Sequence, residues 1–132
     1  MSFNETHAAE TYKSLISISV EGLKSVLLLN GGSIIAILTY LGHSPSSPQL
    51  AARTKCSLVW FVAGLVTVGF AFVTSYLTQF ALYNESVHPE KYKGLKHQCY
   101  LLVTVVLVLL SLAAFALGAF SAVSALSAGM TP

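Results

Sequence analysis

Residues 100–125 read YLLVTVVLVLLSLAAFALGAFSAVSA, an uncharged run from Tyr100 to Ala125. A helix crossing a bilayer needs about 20 mostly apolar residues, at a rise of about 1.5 Å each, to match a hydrocarbon core roughly 30 Å thick. This run exceeds that length, so it must tilt or project into the headgroups at one end. Working back along the chain, no Asp, Glu, Lys or Arg lies between Lys55 and Glu85 or between Lys24 and Arg53. Two further spans are expected there, Leu23–Leu41 with almost no slack and Cys56–Leu82 with some to spare. The expected fold is an all-α integral membrane protein. An N-terminal amphipathic helix over 1–22 precedes three transmembrane helices, at 23–41, 56–82 and 100–125, in one membrane domain.

Composition agrees with lipid as the solvent. Of 132 residues, 55% are hydrophobic and 9% charged, with a mean hydropathy of +0.72, against roughly a quarter charged in an ordinary soluble domain. Seven Lys and Arg stand against five Asp and Glu, a balance of +2. They form no dense basic face, which argues against nucleic acid as a partner.

Polar residues continue to about Ser19, and a positive n-region with an early apolar core is missing, so the first span is expected to be retained and not cleaved as a signal. Ser2 and Glu5 stand at capping-box spacing. Tyr12, Leu15, Ile16, Val20 and Leu23 then recur at three and four residues, which predicts an amphipathic helix running into the first span, its apolar side in the headgroup layer or packed on a neighbouring subunit. The connection Gly42–Pro48 concentrates turn and cap signals. Ser46 with Gln49, or Ser47 before Pro48, would start the second helix, and Arg53 and Lys55 would snorkel from its first turns. The stretch Tyr83–Gln98 is the most charged, and His88-Pro89-Glu90 reads as the start of a short surface helix.

Lys13, Lys24, Lys91, Lys93 and Lys96 fall on one side of this topology, Arg53 and Lys55 on the other. Basic residues near span ends are retained in the cytoplasm, so the amino terminus is expected inside and the carboxyl terminus outside. Tyr40 and Trp60 would form the outer aromatic belt, Tyr83 and Tyr100 the inner one.

The spans contain no Asp, Glu, His, Lys or Arg except Lys24 at one edge. Proton relays, coupled transport and intramembrane proteolysis place ionisable groups at depth, so these classes are not expected. A Walker loop, a dinucleotide fingerprint and a Gly-x-Ser-x-Gly elbow are also missing from the sequence. No catalytic residue and no cofactor is assigned. His88, His97 and Cys99 match no zinc spacing, and Cys56 and Cys99, at opposite membrane faces, read as plain buried thiols.

Small residues at helical spacing point to packing. Ala63, Thr67, Ala71 and Ser75 fall every four residues in the second span; Ala114, Gly118 and Ala122, continued by Ala125, do so in the third. Such stripes let backbones approach, and in lipid that contact carries association. On this reading Ala71 lies on the interface and Val68 outside it, facing lipid. More faces than one subunit can use favour a homo-oligomer or a membrane-protein partner. Near the middle of the first span stand Asn30, Gly31 and Gly32, with three readings open: close packing with an interhelical amide bond, the lining of a pore or cavity, or a break in the helix.

The Leu27-Leu28-Leu29-Asn30-Gly31-Gly32 helix, preceded by Glu21-Gly22-Leu23-Lys24-Ser25, resembles small bacterial inner-membrane proteins of unassigned activity over about residues 20–42. By size and span count the chain also looks like holins and the small membrane effectors of stress or phage-defence systems, although it lacks the highly charged carboxyl tail of many holins. The resemblance implies an oligomeric effector or pore-type protein of the bacterial inner membrane, acting by assembly. The alternative is a non-catalytic accessory subunit of a larger membrane complex.

Overall fold

A computed structural model describes residues 3–43, 48–87 and 97–127. These form three helices, α1 (Phe3–His43), α2 (Pro48–Val87) and α3 (His97–Ser127). All three are long and apolar enough to cross a membrane. At 41, 40 and 31 residues, they measure roughly 60, 60 and 46 Å along their axes.

Residues 3–22 run without interruption into the span, as expected of the first segment. Gly22 is the weakest helix former at that junction, and one glycine costs only about 1 kcal/mol in a helix interior. No described glycine has positive φ, so Gly31 and Gly32 do not break α1 either. In lipid a broken helix would expose backbone groups with nothing to bind them. The helix read as starting near Pro48 does start there. The proposed caps Ser2, Ser46 and Ser47, and the surface helix at His88-Pro89-Glu90, lie outside the described residues.

Hydrogen bonds between helices fix the register. Tyr12 Oη donates to Gln79 Oε1 at 2.7 Å, Asn30 Nδ2 to Ser111 Oγ at 3.2 Å, Ser111 Oγ to the Gly64 carbonyl at 2.7 Å, and Thr104 Oγ1 to Thr74 Oγ1 at 2.8 Å. Residue numbers rise along one helix as they fall along the next, so α2 is antiparallel to both of its neighbours. The most extensive packing joins α2 to α3; α1 lies along α2 and touches α3 least.

Each helix buries a heptad-spaced face. On α2 Thr54, Ser57, Phe61, Gly64, Val68, Ala71 and Thr78 follow alternating steps of three and four with one gap at half-buried Ser75, and Ala81 is buried three residues further on. On α3 Thr104, Ser111, Gly118 and Ala125 are seven apart, with Ala114 between. On α1 Leu23, Val26 and Asn30 begin the same pattern. A repeat of 3.5 residues keeps one face toward a partner through the left-handed packing usual in helical bundles.

This corrects the stripe read on the second span. Ala71 is buried and Thr67 and Ser75 are half-buried, but Ala63 is exposed, and Val68, assigned to lipid, is fully buried. Steps of four residues advance 400° around a helix with 3.6 residues per turn, so a strict four-residue run drifts about 40° per step off any straight partner. The heptad does not drift that way.

Candidate functional site

Polar groups from all three helices meet at one point. Ser111 lies at the middle of the Tyr100–Ala125 run, so centring that run on a bilayer puts Ser111, Gly64 and Asn30 near mid-depth. Asn30 is completely buried. Its Nδ2 donates to Ser111 Oγ and, at 3.1 Å, to the Val26 carbonyl one turn back on its own helix. Ser111 passes the chain on by donating to the Gly64 carbonyl. Three helices are thereby joined by one amide, one hydroxyl and one backbone oxygen.

Gly64 makes the arrangement possible. A Cβ placed there would stand 2.7 Å from Asn30 Cγ and 3.0 Å from Nδ2, and closer still to Oδ1. Asn30 Oδ1 itself has no hydrogen-bond partner. It faces the Gly64 backbone, where a Cα–H contact offers weak compensation. A second close approach lies one layer away. Phe61 covers Gly118, where a Cβ would come within 2.8 Å of the ring. The same ring tilts at 48° against Phe115, centroids 5.8 Å apart.

Toward the other end, the single proton of the Thr104 hydroxyl is shared between Thr74 Oγ1 and the Tyr100 carbonyl, 2.9 Å away, and Thr78 Oγ1 donates to the Thr74 carbonyl at 2.9 Å. At the α2–α3 end, His97 Nδ1 meets Glu85 Oε2 at 2.9 Å. Ser57 Oγ is fully buried without a partner.

The structure therefore separates the residues singled out from sequence. Asn30, Ala71, Ala114, Gly118 and Ala125 lie inside the subunit; Gly31, Thr67, Ser75 and Ala122 are half-buried; Gly32 and Ala63 face outward. A Cβ at Gly31 would meet only Leu65 Cδ1, at 3.8 Å, and one at Gly32 would meet nothing within 4 Å. The two glycines beside Asn30 are thus not the close contact; Gly64, 34 positions along the chain, is. Gly64, Ser111, Phe61 and the Thr74–Thr104 pair were not singled out. The seven-residue spacing of Thr104, Ser111 and Gly118 is the signal that points to them.

The cysteines also differ from expectation: Cys56 and Cys99 are both free and exposed on the bundle surface, not buried. Neither belongs to a heptad face. Along α1, Tyr12, Leu15, Ile18 and Val20 are exposed and Ile16 is half-buried, so the apolar residues of its first half are left largely uncovered by the chain itself. Among the described residues, no three His, Cys, Asp or Glu side chains gather into a metal-binding group. Neither a family model nor any curated protein or solved structure matches this chain.

Proposed function

We propose that this chain is a non-catalytic protein of the bacterial inner membrane, amino terminus cytoplasmic and carboxyl terminus external, that acts by assembling in the bilayer as an oligomeric effector of the holin or stress and phage-defence kind. The observation behind this reading is where the polar groups point. Asn30, Ser111, Thr74 and Thr104 bind one another or nearby backbone and tie the helices of one subunit together. A change in permeability would then arise between subunits, whose outward surfaces remain available, as they do along α1. The first half of α1, with Tyr12, Leu15 and Val20 exposed, would lie along the headgroups or on a neighbouring copy.

Purification in mild detergent, followed by reconstitution with dye-leakage measurement, tests this. The expected result is a discrete homo-oligomer that permeabilises vesicles. A protein that stays monomeric at every lipid ratio and never causes leakage overturns the reading, and co-purification with a fixed larger partner assigns it to an accessory subunit instead. Reporters placed at Pro132 and in the Tyr83–Gln98 segment test orientation; cytoplasmic signals from both would break the three-span topology.

A further inference from the structure

We infer that the outward face of α1 is the surface on which a second copy of the same chain docks, side by side and in the same orientation, through the pair Glu21–Lys24. This rests on the proposed assembly and specifies its contact.

Lys24 is six residues and Glu21 nine residues from Asn30 along an uninterrupted helix. At about 1.5 Å per residue they stand roughly 9 and 14 Å from the mid-depth node, inside a hydrocarbon half-thickness of about 15 Å. Lys24 Nζ holds Glu21 Oε1 at 2.9 Å, yet in the single subunit their side chains are 55% and 68% exposed. Charges at such depth normally face a bundle interior or a water-filled space. In one subunit these two face outward.

Taking 100° per residue from the buried Asn30, Glu21 falls diametrically opposite. Around it run Ile18, Glu21, Ser25, Leu28, Gly32 and Ile35, again at steps of three and four, a second heptad face back to back with the buried one. Ile18, Leu28 and Ile35 are 67%, 72% and 67% exposed. Large Leu28 and Ile35 alternate with small Ser25 and Gly32, so knobs on one copy meet hollows on another.

Charge selects the occupant. One acid and one base, a single turn apart on one face, are complementary to their own copy. About a two-fold axis along the membrane normal, Lys24 of each chain reaches diagonally, one turn away, to Glu21 of the other, and the four charges close into an alternating ring shielded from lipid. A partner unlike this chain would need to supply that same pair.

The test uses the full-length chain in proteoliposomes, with Cys56 and Cys99 changed to Ala. Single cysteines go in at Leu28 and Gly32 and, as controls, at the lipid-facing positions Val59 of α2 and Leu102 of α3. Oxidation is expected to cross-link Leu28→Cys and Gly32→Cys and to leave the controls monomeric. Glu21→Lys and Lys24→Glu should each weaken dimerisation about fivefold or more, and the double exchange should restore it. Cross-linking through Val59 or Leu102 with none through α1 overturns this contact while the assembly stands. A monomer that cross-links nowhere overturns both. Single exchanges that weaken the dimer without rescue by the double exchange would mean that the charges do not meet across copies, and would also overturn the proposal.

Discussion

The seam between α2 and α3 and the seat of α1 are built from the same few residue types, yet they hold differently. Between α2 and α3 the contact runs nearly the length of both helices: Phe61 on Gly118, Ser111 on the Gly64 carbonyl, Thr104 on Thr74 and His97 on Glu85. Across to the rest, α1 is held by the Asn30 node, the apolar cluster of Leu23 and Val26 against Val68 and Ala71, and the Tyr12–Gln79 bond. Apolar surface gains nothing by leaving lipid for another apolar surface, so shape and polar bonds decide which helix sits where. The comparison teaches that α2–α3 is a hairpin fastened at many levels, and α1 a helix fastened at few.

The sharpest way to break that contrast is Gly64→Val. Its side chain would occupy the space of the Asn30 amide, and overpacking of this kind costs about 2 kcal/mol. Reversible unfolding in bicelles should show that loss, whereas Gly32→Val, with open space around it, should leave the stability of the single subunit within about 0.5 kcal/mol. Equal losses would mean that α1 does not pack through Gly64.

Gly118→Val comes next. It drives Phe61 off its seat and should cost about 1–2 kcal/mol, with the α2–α3 contact loosened before that of α1. Proteolysis between the helices, or a cysteine pair across them, reports which contact opens first.

Asn30→Leu removes both bonds of the amide and leaves Ser111 bound to Gly64 alone. A loss of about 0.6–2 kcal/mol is expected, with insertion intact. If leakage stays the same while stability falls, Asn30 acts as a fastening and not as a lining. Smaller again is the Thr74–Thr104 bond. A double-mutant cycle with Thr74→Val and Thr104→Val should yield a coupling near 0.6 kcal/mol, and a coupling of zero would remove it from the fastenings of the hairpin.

Hydropathy and charge placement make the helices legible in the sequence. The charge-free zones following Lys24, Lys55 and Lys96 fall within the second half of α1, within α2 and over α3, and Pro48 begins α2 as a proline at a first helical position should. Facing was far less readable. In a soluble helix the apolar side declares itself, but α3 is apolar all round, so hydrophobicity says nothing about which side meets a neighbour. What does carry facing is size and polarity at seven-residue intervals. Following steps of four instead led to Ala63, which faces outward, and sent the buried Val68 to lipid. The run of the first segment into its span was readable as well: polarity changes near residue 20, but nothing in the backbone stops a helix there.

The unbroken length of α1 has a mechanical consequence. From Asn30 the helix extends 27 residues back to Phe3 but only 13 forward to His43, arms of about 40 and 20 Å. A rigid rod pivoting at the central node would therefore magnify motion on its long side. A tilt of about 10° at Asn30 displaces the first turn by roughly 7 Å and the far end by half as much. The Tyr12–Gln79 bond, 18 residues out along the long arm, resists that rotation through a lever of about 27 Å.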